Sequence, residues 1–96
     1  MRRCYLVCYD IRCPKRWRKV YNTVSGFGEW WQYSIFFCVL KEIDRVRLQA
    51  KLEEHLNLKE DQCLIIDLGP NEAEARDAAT VLGMSLPRGE SGVVVI

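Results

Sequence analysis

Ninety-six residues with 14 Lys/Arg against 13 Asp/Glu, 49 % apolar, describe one globular domain and exclude an intrinsically disordered chain. No apolar run approaches the ~20 residues a membrane span needs, and no secretory h-region is expected at the N-terminus. A core of this size is adequate but small, burying roughly 60–68 % of the surface an unfolded chain exposes, and the expected setting is the cytoplasm, away from membranes.

The first element expected is a strand over Cys4–Ile11, rich in Tyr, Val and Ile and free of breakers. Its alternation puts Cys4, Leu6, Cys8 and Asp10 on one face and Tyr5, Val7, Tyr9 and Ile11 on the other. Both faces are apolar, so both need a cover. The strand closes on a single acid, Asp10, and five of the eight residues from Arg12 to Lys19 are then Lys or Arg.

Pro14 suits the first turn of a helix, where its missing N–H costs nothing. Trp17, Val20, Tyr21 and Val24 follow as an apolar stripe at i, i+3, i+4 and i+7. Lys15, Arg16, Arg18 and Lys19 lie off that stripe. Ser25-Gly26-Phe27-Gly28 ends the helix, with glycine available for a left-handed cap.

Glu29–Leu40, "EWWQYSIFFCVL", is aromatic and β-branched and long for a typical strand; composition alone gives one long strand, and two strands joined at a tight bend near Ser34 are the alternative, which the resemblance given below favours. Glu42–Leu56 reads as a helix with Leu48, Leu52 and Leu56 at i+4 spacing, although Ile43, Val46 and Ala50 point elsewhere. Gln62–Leu68 is a further short strand. After Gly69-Pro70, Asn71 caps a third helix with Glu74 placed for a capping box, and that helix is expected to run to about Leu82 before Gly83. Gly92–Ile96, "GVVVI", reads as a terminal strand.

This order gives an α+β fold, a ferredoxin-like β-α-β-β-α-β sandwich with a C-terminal helix and terminal strand. Residues 1–69 form the domain and 70–96 an extension. Its two main helices cover one face of the sheet, so a second copy is expected on the other, as a homodimer packed sheet on sheet. The terminal strand would extend its own sheet or the partner's.

Charge is uneven along the chain. Residues 1–51 hold 11 Lys/Arg against 4 Asp/Glu, and residues 52–96 hold 3 against 9. A basic surface that meets a polyanion is one reading; a solvated face neutralised by the acidic half is the other. The five cysteines form no C-x-x-C pair, and four lie in apolar strand-like stretches, so reduced and mostly buried thiols are expected in place of a zinc site. His55, in the last turn of its helix, is placed to face the helix dipole and not to act as a base.

"YDI" at Tyr9–Ile11 closing the first strand, a Lys/Arg-rich first helix, and "QYSIF" at Gln32–Phe36 together resemble the CRISPR-associated protein 2 family, the small subunit of the spacer-acquisition machinery. The resemblance covers residues 4–68 in order and spacing. It implies a ferredoxin-like homodimer with facing sheets. It also implies a Mg²⁺-dependent endonuclease acting on RNA or DNA, or a non-catalytic scaffold for double-stranded DNA that bridges dimers of the CRISPR-associated integrase. By the same resemblance Tyr9 and Asp10 match the strand-end catalytic pair, with Asp10 the metal ligand. Arg16 and Arg18 match the basic helix, and Ser34 and Phe36 match supporting positions. Three departures bear on catalysis more than on fold. Arg12-Cys13-Pro14 stand where acidic or polar residues are common, Trp30 where an Arg is common, and Phe37 where an acid is common.

The residues themselves allow the same chemistry. Phosphodiester hydrolysis at neutral pH uses a hard divalent cation with oxygen ligands. One carboxylate is a thin ligand set, whereas a two-fold dimer makes it two, and two close carboxylates favour uptake of a metal or proton. Alternatively Asp10 merely ends the strand and caps the next turn. Arg12, Lys15, Arg16, Arg18 and Lys19 are candidates for phosphate contact, which positions a nucleic acid without reading its sequence. Tyr9, Trp30, Trp31 and Phe36 are candidates for base stacking, with burial in the core or at an interface the competing reading. Ser34 has no His nearby in sequence, which argues against a nucleophilic role. A ferredoxin-like regulatory module binding a small ligand is a third alternative, disfavoured because the sequence has no Gly-rich phosphate loop.

Overall fold

The structure, a computed structural model, describes residues 1–87. Its elements are β1 (Arg2–Asp10), α1 (Pro14–Ser25), β2 (Glu29–Gln32), β3 (Ile35–Lys41), α2 (Glu42–His55), β4 (Gln62–Gly69) and α3 (Glu72–Asp77). One antiparallel sheet has the order β2-β3-β1-β4, the ferredoxin-like arrangement expected from the element order. The strand β1 therefore lies in the middle, bonded to β3 on one side and β4 on the other. The long aromatic stretch does split in two, with Tyr33-Ser34 as the turn. No described helix is long and apolar enough to cross a membrane.

Helices α1 and α2 pack on the face formed by Tyr5, Val7 and Tyr9 of β1. Val20 and Val24 from α1, Leu48 and Leu52 from α2, and Phe36, Cys38 and Leu40 from β3 complete that core. The i+4 leucines of α2 point inward as expected, while Ile43 and Val46 stay about half exposed. His55 sits in the last turn of α2. All five cysteines are free thiols, and burial pushes Cys38 up to about 12 and Cys63 up to about 11.

The opposite face differs from the expectation that only a partner would cover it. The helix α3 lies there over β1 and β4, with Ala75 buried against Cys4, Trp31 and Phe37, and Leu86 packs beside them. The anchor is Arg76, whose two terminal nitrogens each donate to Glu29, at 2.9 Å. Its guanidinium also lies 4.5 Å from the centroid of Phe37, a cation–π placement. Trp31 Nε1 donates to the same Glu29 carboxylate at 3.0 Å. Arg76 holds this carboxyl below its ordinary range against the opposing effect of burial. What stays open is the end of β1 and β4 toward Asp10, with Leu64 and Ile66 exposed by 47 % and 42 %.

The third helix is shorter than expected. Asn71 accepts the Glu74 N–H at 3.0 Å as its cap, but the helix ends at Asp77. Ala75 is its one buried residue, and Thr80 and Val81 beyond it are β-branched and poor helix formers. Gly83 has φ +93° within the loop that follows. The expected strand at Gly92–Ile96 lies outside the described residues.

The end of α1 also corrects an expectation. Gly26 takes φ −77°, a right-handed cap, and donates to Thr23 O. The glycine that matters is Gly28, where the chain crosses the backbone of β3. A Cβ there would lie 2.6 Å from Phe37 O and collide with Cys38 Sγ. Gly28→Ala should therefore lower stability by about 1–3 kcal/mol. In urea denaturation the midpoint should fall with the slope unchanged; a wild-type midpoint would show that β3 yields freely at this crossing.

Candidate nucleic-acid interface

Asp10 is the last residue of β1 and is exposed. Alternation places it on the open face with Leu6 and Cys8, opposite the face that carries Tyr9. None of the ion pairs among the described residues includes it. Nor do three His, Cys, Asp or Glu side chains among the described residues gather there into a metal-binding group. An exposed, acceptor-only carboxylate suits a hard cation, but its other ligands must then be water, phosphate oxygen or a second copy of the chain.

Tyr9 does not join Asp10. Its ring is 6 % exposed and lies in the core, edge-on to Trp17 and stacked with Phe36, both at 6.4 Å between centroids. Its hydroxyl is buried without a hydrogen-bond partner among the described residues, and burial raises its pKa. Phe36 is 1 % exposed and packs as core. Ser34 holds the β2–β3 turn: its Oγ accepts from Trp17 Nε1 at 3.1 Å, and its carbonyl accepts from Tyr9 N at 3.1 Å. Trp31 is buried against Phe37 in parallel stacking at 4.9 Å, and Trp30 is 40 % exposed at the sheet edge.

The basic residues divide into two sets. Arg12, Lys15, Arg18 and Lys19 are exposed and absent from the ion pairs of the described residues. Arg16 is instead committed to the acidic half of the chain. Its Nε and Nη2 donate to Asp61 at 2.7 and 3.1 Å, and Nη2 also reaches Glu60 at 3.1 Å. The Asp61 side chain is fully buried and accepts further from the Asn57 N–H at 2.9 Å.

This knot ties the start of α1 to the loop between α2 and β4, and it steadies the short link between Asp10 and the helix. The unpaired N–H groups opening α1, those of Arg16 and Lys15 first, draw the neighbouring Cys13 thiol below its ordinary range. Arg3 is engaged likewise, pairing with Asp67 at 2.9 Å. The basic half is thus partly neutralised by the acidic half, while Arg12 and three cations of α1 stay exposed after Asp10.

Comparison with known proteins identifies this arrangement. The model of the family described as "CRISPR associated protein Cas2" matches residues 2–76. The chain belongs to that family. A CRISPR-associated endoribonuclease Cas2 of Geobacter sulfurreducens is 46 % identical over 72 residues, 75 % of this chain and 76 % of that protein. One from Rhodospirillum rubrum is 44 % identical over 68 residues, 71 % and 67 % of the two chains. Among solved structures, Streptococcus pyogenes Cas2 matches with TM-score 0.74 and 27 % identity, over 83 % of this chain and 99 % of that one. A hypothetical protein of Thermus thermophilus matches at 0.77 and 30 %, over 94 % and 100 %. The resemblance carried by "YDI", the basic helix and "QYSIF" therefore holds, and so does the fold it implied.

The long-range Arg16–Asp61 pair gave no local signal in the sequence, since its partners lie 45 positions apart. The Asp61 carboxyl is held below its ordinary value by Arg16 first. Its stabilising effect is therefore present above the ordinary carboxylate pKa of about 4 and lost as pH falls through the depressed value. Arg16→Ala should lower the urea midpoint at neutral pH more than Arg18→Ala, and the gap between the two variants should close on acidification. Equal midpoints at neutral pH would contradict a structural role for Arg16.

Proposed function

We propose that two copies of this chain pair through the open strip of Cys8, Leu64 and Ile66, and that their two Asp10 carboxylates hold one divalent cation, Mg²⁺ by chemistry. The dimer then hydrolyses phosphodiester bonds of a nucleic acid, and the name of the relatives, endoribonuclease, points to RNA. The observation that carries this reading is the position of Asp10. It stands at the end of an apolar strip of the sheet that the chain's own described helices leave uncovered.

Burying that strip against its two-fold copy removes apolar surface from water at roughly 25 cal/mol per Å². It also brings two like charges together, which favours cation uptake. When bound, the cation supplies charge neutralisation and a more acidic water. Asp10 orients it. Arg12, Lys15, Arg18 and Lys19 hold the phosphate backbone on either side. The Arg16–Asp61 knot keeps the turn after Asp10 in place. Tyr9, on the other face, contributes packing beneath the site and not proton transfer. The cytoplasm is where such substrates are met.

A second reading has its own support. The four exposed cations from Arg12 to Lys19 do not depend on Asp10, and Trp30 and Phe37 offer no charge to the reaction. The dimer would then serve as a scaffold that holds double-stranded DNA and joins copies of the CRISPR-associated integrase.

The first of two tests separates these readings, and the second checks the nucleic-acid contact they share. Asp10→Asn should abolish divalent-metal-dependent cleavage of RNA and DNA while leaving the dimer intact by analytical ultracentrifugation. Cleavage that survives would remove Asp10 from the chemistry. Arg18→Ala with Lys19→Ala should weaken binding of any sequence alike and reduce the slope of log K against log salt by about one for each phosphate no longer neutralised. An unchanged slope would show that the nucleic acid lies elsewhere.

A further inference from the structure

Tyr33 is the most exposed aromatic residue of this chain. Tyr9, Trp31, Phe36 and Phe37 are buried, whereas Tyr33 is 72 % exposed at the tip of the β2–β3 turn. Nothing in a two-residue turn requires an aromatic ring; small polar residues or glycine serve it better. A single exposed tyrosine is ordinary, but this ring is held. One of its faces lies on Trp17, with centroids 5.2 Å apart and planes 28° from parallel. Trp17 in turn stacks on Tyr21 at 5.2 Å and 20°.

The turn beneath is fixed at two points, by Trp17 Nε1 to Ser34 Oγ at 3.1 Å and by Tyr9 N to Ser34 O at 3.1 Å. Tyr21, Trp17 and Tyr33 form a three-ring ladder, and its outermost ring presents its second face to solvent.

The location gives that face a use. The hydrogen bond from Tyr9 N to Ser34 O joins the end of β1 to the turn. Asp10 follows Tyr9, and Tyr33 precedes Ser34, so both stand at the same end of the sheet. Trp17 belongs to α1, the helix that carries Lys15, Arg18 and Lys19. A pre-stacked aromatic ring resting on the helix that carries exposed cations matches the chemistry of a single strand, phosphates on the cations and an unpaired base on the ring; Asp10 shares this end of the sheet but points to its opposite face.

We infer that Tyr33 is a stacking platform for an unpaired nucleobase of single-stranded RNA or DNA, seated on the Trp17–Tyr21 ladder. The inference rests on the nucleic-acid reading above and extends it to the form of the substrate. Bases inside a duplex already have both faces stacked and cannot use the platform, so the ring favours single strands and frayed ends. Stacking does not read the base, which leaves the site tolerant of sequence.

The test is equilibrium binding by fluorescence anisotropy in EDTA, which removes cleavage, using a labelled oligothymidylate and a blunt-ended duplex. Tyr33→Ala should bind the single strand about tenfold more weakly, the order expected for one stacked base. Its duplex affinity should stay near wild type. Tyr33→Phe should bind both as wild type does. Tyr33→Leu, which still covers Trp17 but has no π-face, should behave like the alanine variant and guards against an effect of uncovering Trp17.

Single-strand affinity unchanged in Tyr33→Ala overturns the platform and leaves the nucleic-acid reading standing. An equal loss for strand and duplex also overturns it, since a disturbed turn would act on both. Wild-type protein that binds neither probe overturns the nucleic-acid reading and the platform with it.

Discussion

The period-two alternation of β1, held between β3 and β4, is the constraint on which the rest of the molecule depends. A strand bonded on both edges cannot slip by one residue without turning its whole apolar set over. Tyr5, Val7 and Tyr9 are fixed toward α1 and α2, where they meet Val20, Leu48 and Phe36. Cys4, Leu6, Cys8 and Asp10 are thereby fixed toward the other face. The position of Asp10 is a consequence of core packing. It stands on the open side because its neighbour Tyr9 is needed inside.

The second face is shared between two covers. Over Trp31 and Phe37 the chain uses its own α3, locked by Arg76 to Glu29 and laid on Phe37. Toward β4 it leaves Leu64 and Ile66 in water. This division would confine a sheet-on-sheet partner to the part of the face that carries Asp10. The two positions where charge is common in the family have a physical account here as well. Phe37 is the floor on which Arg76 rests, so an acid there would be buried beneath α3 beside Glu29 and Glu72. Trp30 sits at the outer edge of β2, away from Asp10.

Much of this was legible in the sequence, for reasons tied to particular residues. Local pattern exposes the strand alternation of residues 4–10 and Pro14 opening α1, whereas the bend near Ser34 comes from the family resemblance, since composition alone reads residues 29–40 as one strand. Partners distant in sequence were not legible. Arg16 looks like the other cations of its helix until Asp61 is folded against it, and Arg76 looks like an exposed helix residue until Glu29 is beside it. Glycine is legible as punctuation after α1, but the left-handed cap does not form at Gly26, and the need for glycine at Gly28 is invisible because the collision there involves a strand further along the chain. Tyr33 offered only an aromatic ring at a turn. Its ladder exists because α1 places Trp17 and Tyr21, at i and i+4, beneath the β2–β3 hairpin.

The central claim is that Asp10 works as a pair across two copies. Mn²⁺, a hard cation that takes the same oxygen ligands, can be counted by electron paramagnetic resonance as it binds. The account predicts one tightly held Mn²⁺ for every two chains, lost in Asp10→Asn while the dimer persists. One Mn²⁺ per chain, or binding that survives Asp10→Asn, would contradict it.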